Sequence, residues 1–223
     1  MHSELKKRII TSIFLLTLLV LMSFYTYVLI LSLMIIGIIA WVEFYALISK
    51  IYKKKNYLNI ALRFILKATS LLYLSYVIFI IIFSKLNYPD LYILILYMIL
   101  VSIMTDIGGL IVGKIFKGKK LTRISPKKTI SGSIGSFVFS LLLIPFFSKF
   151  LISYENISLF DKVLITLSIS FISQLGDLFI SLIKRKANVK NTSDLLPGHG
   201  GILDRIDGII FAVPLGILLF NLF

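Results

Sequence analysis

Ile9 to Val42 is 34 residues long without one charged side chain, and several later stretches repeat that character. A water-soluble helix needs a polar face, which such a run cannot supply, whereas ~20 apolar residues suffice to cross a hydrocarbon core. A mean hydropathy of +1.00 agrees, as do 58% hydrophobic and only 15% charged residues. The sequence therefore predicts an all-α, polytopic membrane helical bundle. Lys6, Lys7 and Arg8 ahead of the first run resemble the start of a secretory signal, but no small-residue cleavage site follows, so the run is expected to be an uncleaved anchor.

Dividing the chain at its charges gives about seven expected transmembrane helices, at 9–24, 27–49, 66–84, 90–112, 130–148, 162–183 and 206–223. The third, with Lys67 at its edge, and the short last one are the weakest. A cytoplasmic N-terminus places 21 of the 24 Lys and Arg on one side, and with them the whole net charge of +14. The expected organisation is a single integral-membrane domain. Residues 1–104 form its N-terminal helices, and 105–223 a catalytic half carrying two basic cytoplasmic loops.

The absence of cysteine excludes disulfides, thiolate nucleophiles and iron–sulfur clusters. Two histidines, His2 and His199, are too few for a histidine cage, so a bound metal would be held by carboxylates, which favours a hard ion such as Mg²⁺.

Within the sixth span, Thr166, Ser170, Gln174, Asp177, Ser181 and Lys184 recur at spacings of three and four, which puts them inside a wedge of about 80° on one helix face. A carboxylate there costs at least ~2.5–3.5 kcal/mol on insertion scales, and is kept where it faces a cavity, a metal or a counter-charge. Asp177 therefore either serves a site or pairs with a lysine in a helix contact. In the fourth span Asp106, Gly109 and Gly113 line up in the same way. The glycines admit either a close helix neighbour or a ligand that Asp106 also faces. Glu43, beside Trp41 and Tyr45, reads as an interfacial residue without a role.

Two loops carry the cations. The first, Ser125-Pro126-Lys127-Lys128-Thr129-Ile130-Ser131-Gly132-Ser133, opens a helix whose free N–H groups suit an anion, as an ordinary solvated basic loop also would. The second runs from Ser181-Leu-Ile-Lys184-Arg185 through Lys190 to Pro197-Gly198-His199-Gly200-Gly201-Ile202-Leu203-Asp204-Arg205-Ile206-Asp207. Its glycines let backbone N–H groups approach a ligand; Asp204 and Asp207 sit three apart for a divalent ion, with Arg205 available for a phosphate.

At this second loop the sequence resembles the phosphatidate cytidylyltransferases, also called CDP-diglyceride synthases. The matching residues are Ser181, Lys184, Arg185, Lys190, Pro197, His199, Gly200, Gly201, Asp204, Arg205 and Asp207, together with Ser125-Pro-Lys-Lys-Thr129 and Gln174-Leu-Gly-Asp177-Leu upstream. The resemblance covers about Thr105 to the C-terminus. One departure is Asn191, where the family usually has an acid.

The resemblance implies the reaction of CTP with phosphatidic acid to give CDP-diacylglycerol and pyrophosphate, at the cytoplasmic face of a bacterial inner membrane. It implies Mg²⁺, and a second cation in some arrangements. In that reading Asp177, Asp204 and Asp207 hold the metal, with Asp106 as a fourth. Lys184, Arg185, Lys190 and Arg205 hold phosphates, His199 orients a phosphate oxygen, and Lys127 with Lys128 attracts the substrates. Ser125, Ser181, Gly200 and Gly201 complete the substrate contacts, and the polar stripe walls a cavity open to lipid. The family also suggests a homodimer; no nucleic acid is expected. Two rivals remain: a CTP-dependent kinase of a polyprenol or similar lipid alcohol, and a non-enzymatic anion transporter.

Overall fold

In the computed structural model, residues 2–53, 56–147, 158–198 and 200–220 are described. His199 lies outside them. The described elements are helices α1 (His2–Phe24), α2 (Thr26–Ile51), α3 (Tyr57–Asn87), α4 (Pro89–Phe116), α5 (Ile130–Leu141), α6 (Ile144–Phe147), α7 (Leu159–Lys186), α8 (Leu203–Ile206) and α9 (Ile209–Phe220). Helix is what an apolar medium demands, since it satisfies backbone N–H and C=O groups within each segment.

Four helices, α2, α3, α4 and α7, are long and apolar enough to cross a membrane, and match the second, third, fourth and sixth expected spans. The other three spans are represented by shorter apolar helices. In the fifth, α5 stops at Leu141 and a turn precedes α6. Pro145 has no N–H to offer the Leu141 carbonyl, which accounts for the break.

The chain divides into two compact units, Met1–Leu86 with Ile183–Ile206, and Asn87–Leu182 with Asp207–Phe223. In the first, α1 and α2 run against each other and α2 meets α8. Lys67 on α3 is buried. Its ammonium donates to Ser49 Oγ at 2.7 Å and lies 3.1 Å from the Tyr45 ring centroid, a hydroxyl and a π face replacing water around the charge. Its carbonyl accepts from Trp41 Nε1 at 3.1 Å, so the charge that weakened the third span in the sequence is a fastening between α2 and α3.

In the second unit the principal contact is α4 on α5. A Cβ on Gly108 would come within 2.5 Å of the Gly135 carbonyl, and one on Gly132 within 2.7 Å of the Gly109 carbonyl. The two backbones thus touch through glycine on both sides, and the close-packing reading of Gly109 and Gly113 holds. Asp106 is exposed on α4 while these glycines face α5.

Alanine in place of a mid-helix glycine ordinarily adds about 1 kcal/mol of stability. At Gly108 the sign should reverse, because the new methyl meets α5 backbone that cannot swing aside. Gly108→Ala is expected to destabilise by about 1–3 kcal/mol, read as a fall of several degrees in thermal unfolding in detergent. Ile111→Ala, at an exposed position of the same helix, is the control expected to stay near the parent value.

Candidate functional site

The polar stripe of α7 has partners along its length in the second unit. Thr166 Oγ1 is 2.5 Å from Tyr97 Oη, Ser170 Oγ accepts from Thr105 Oγ1 at 2.8 Å, and Gln174 Oε1 accepts from Ser133 Oγ at 2.6 Å. Thr166 and Ser170 are fully buried. This part of the stripe is a polar seam joining α7 to α4 and α5, not the wall of a cavity as the sequence had suggested. Hydroxyls on facing helices pair because hydrocarbon offers no alternative partner.

One turn further, the seam becomes charged. Asp177 Oδ2 forms an ion pair with Lys128 Nζ, both side chains about a quarter exposed, and Oδ1 accepts from Ser181 Oγ at 3.3 Å. The first basic loop is therefore brought onto the stripe. Its own backbone is pinned: the amides of Leu121, Lys128 and Ile130 donate to the carbonyls of Lys128, Ser125 and Lys119. Thr129 caps α5 by accepting from Gly132 N at 3.1 Å, and Ser133 N donates to the Thr129 carbonyl. Most of the first-turn N–H groups that suited an anion are thus already engaged. Lys127 is exposed, and Ser125 half-buried.

Asp207, buried at the start of α9, accepts from Gly208 N at 2.9 Å. A Cβ on Gly176 would meet the Asp207 carbonyl at 2.5 Å. The glycine beside Asp177 lets α7 and the Asp207 backbone touch.

The first unit holds the second basic loop. Lys184 Nζ pairs with Asp204 Oδ1 at 2.5 Å, with side chains only 11% and 7% exposed. Asp204 Oδ2 accepts from Thr192 N at 2.9 Å, Thr192 Oγ1 at 3.0 Å and Gly201 N at 3.1 Å. Burial pushes the Asp204 carboxyl up, but the Lys184 and backbone hydrogen bonds together with the Lys184 charge outweigh it and hold the group below its ordinary value. Its two oxygens organise the loop. Gly200 and Gly198 sit at φ 84° and 77°, in the left-handed region that favours glycine. Gly200 N donates to the Leu196 carbonyl at 3.1 Å, so the Gly200 and Gly201 amides close the loop on itself.

Around this core Arg185, Lys190 and Arg205 are exposed; Arg185 Nη1 reaches the Val189 carbonyl at 3.4 Å. Asn191 lies with Cβ and Cγ 3.4 Å from where a Gly200 side chain would begin, and Asp204 Oδ2 lies 2.9 Å from that same point. An acid at 191 would bring further negative charge beside Asp204.

Sequence reasoning passed over Glu43. Far from being interfacial, it is 5% exposed and binds the second loop. Thr192 Oγ1 donates to Oε2 at 2.8 Å, Ser193 Oγ to Oε1 at 2.6 Å, Ile202 N to Oε1 at 3.0 Å and Leu203 N to Oε2 at 2.8 Å. The insertion cost that singled out Asp177 applies equally to an acid eight residues inside the end of α2.

Among the described residues, no group of three or more His, Asp or Glu side chains is close enough to hold a metal ion. The chemistry of the donors is compatible with a hard cation: the carboxylates of Asp177 and Asp207 supply oxygen only.

Comparison with known proteins adds an independent result. The cytidylyltransferase family model matches residues 8–223. The phosphatidate cytidylyltransferase of Staphylococcus haemolyticus (strain JCSC1435) is 43% identical over 122 residues, 54% of this chain and 46% of that protein. The phosphatidate cytidylyltransferase of Bacillus subtilis (strain 168) is 42% identical over 130 residues, 58% of this chain and 48% of that one. The matched region thus spans about half the length of these curated relatives. With the family match extending over nearly every residue, the chain belongs to the cytidylyltransferase family.

Proposed function

We propose that the protein is a phosphatidate cytidylyltransferase, condensing CTP with phosphatidic acid to CDP-diacylglycerol and releasing pyrophosphate. The observation that carries this reading is family membership together with over 40% identity to proteins bearing that name. The inventory of side chains supports it. A lipid phosphate oxygen is already an anion near neutral pH and attacks the α-phosphorus of CTP without help from a strong base, so catalysis consists of positioning and charge neutralisation. The chain supplies exposed cations, the buried Lys184–Asp204 pair and the partly exposed Lys128–Asp177 pair, with no cysteine nucleophile.

In this reading Lys127, Arg185, Lys190 and Arg205 bind the triphosphate and the lipid phosphate, Lys184 is held ready by Asp204, and Lys128 is held by Asp177. Asp177 and Asp207 are the carboxylates that would hold Mg²⁺, which when bound would supply neutralisation of phosphate charge. Asp204, whose oxygens already accept from Lys184, Thr192 and Gly201, contributes through the loop it organises. The excess of Lys and Arg on one set of loops supports a cytoplasmic N-terminus and a site facing the cytoplasm of a bacterial inner membrane. That position gives access to both CTP and lipid.

Pyrophosphate release by the purified protein should require phosphatidic acid as well as CTP, cease on chelation and return with Mg²⁺. Release without phosphatidic acid would defeat the reading. Asp177→Asn, which keeps the shape and removes the charge facing Lys128, should lower kcat by about 10²-fold or more and weaken the dependence on Mg²⁺. Lys184→Ala should lower turnover and, by leaving Asp204 buried without its cation, destabilise the fold by about 3–5 kcal/mol. Unchanged thermal unfolding would contradict the buried pair.

A further inference from the structure

Glu43 stands on α2, in a helix otherwise uncharged up to Lys50. A carboxylate in that setting is expensive unless every lone pair is met. Here each oxygen receives two donors: Ser193 Oγ and Ile202 N on Oε1, Thr192 Oγ1 and Leu203 N on Oε2. The donors come from opposite ends of the second basic loop, residues 192–193 before its Pro-Gly turn and 202–203 after it. One side chain from a distant helix thus ties both ends of the loop together.

Two further observations converge on the same point. A Cβ on Gly201 would lie 2.5 and 2.6 Å from the two Glu43 oxygens, and would also collide with Thr192 Oγ1. The second glycine of the pair is therefore required by this carboxylate. Thr192 Oγ1 also touches Asp204 Oδ2 at 3.0 Å. With a single proton for two carboxylates, it bridges Glu43 to Asp204, which in turn holds Lys184.

We infer that Glu43 is the positioning residue of the second basic loop, acting through Thr192, Ser193 and the Ile202 and Leu203 amides to fix Asp204 and hence the Lys184 ammonium. The catalytic part of this inference rests on the cytidylyl-transfer reading. Two of the four partners, Ile202 N on Oε1 and Leu203 N on Oε2, can only donate, so both oxygens of the side chain must accept, as a carboxylate does. An amide there would turn its NH₂ group toward one of these backbone N–H groups and lose that bond, while the hydroxyl beside it can turn to accept. Aspartate would keep the charge one methylene short and restore part of the clamp.

The test compares Glu43→Gln, Glu43→Asp and Ser193→Ala in the full-length protein in detergent, with three readouts. Amide exchange at Ile202 and Leu203 should accelerate at least about tenfold in Glu43→Gln and less in Glu43→Asp. With CTP and phosphatidic acid, kcat should fall about 10–100-fold in Glu43→Gln, with partial recovery in Glu43→Asp, while the KM for CTP changes less. Ser193→Ala, which leaves the charge in place, should move both readouts in the same direction by a smaller factor. Exchange at Ile202 and Leu203 unchanged in Glu43→Gln would overturn the clamp, whether or not the protein transfers cytidylyl groups. Faster exchange with parental kcat would overturn the positioning role. Were Glu43→Gln to fail to fold, Ser193→Ala decides: parental exchange and kcat there would overturn the inference.

Discussion

A carboxylate inside an apolar helix bundle must be supplied with donors by the protein itself, because no water is at hand to do it. That constraint organises the polar part of this molecule. Glu43 and Asp204 are each surrounded by donors from one loop, and Asp177 is met by Lys128 and Ser181. The loops take their shape from these groups. A segment with little regular structure, rich in glycine and lysine, would otherwise have many conformations of similar energy, and fixing each residue costs about 1–2 kcal/mol.

The same economy of donors explains the stripe on α7. Its inner hydroxyls and the Gln174 carbonyl form a seam against Tyr97, Thr105 and Ser133, and Asp177, about a quarter exposed, begins its charged part, with Ser181 and Lys184 buried beyond it. A single helix face thus passes from hydroxyl and amide contacts to charged ones along its length. Buried pairs such as Lys184 with Asp204 seldom add much net stability, since desolvation offsets attraction. They do fix where a cation stands, which phosphate chemistry needs.

Much of this was legible in the sequence. The uncharged runs gave four long helices, because hydrophobicity over ~20 residues has one dominant solution in a membrane. The periodic placement of Thr166 through Lys184 marked the face that bears polar contacts, and the fixed spacing from Ser181 to Asp207 marked the loop and the family. Other features were hidden. The break after Leu141 depends on one missing N–H at Pro145, which hydropathy does not register. Gly200 and Gly201 read as room for a ligand, whereas Gly201 makes room for Glu43, 158 positions away in the chain, and no local pattern joins the two. Glu43 itself looked interfacial because aromatic residues and a lysine surround it in sequence, although an acid within an apolar helix needs partners there as much as Asp177 does.

The central claim is that these carboxylates and cations serve transfer of a cytidylyl group to a lipid phosphate. CTP labelled at either the α- or the γ-phosphorus tests it most directly, with phosphatidic acid and Mg²⁺ present and the label followed into the lipid phase. The account predicts that α-label enters lipid while γ-label leaves as pyrophosphate. Entry of γ-label into lipid, or of neither label with folded protein, would contradict it.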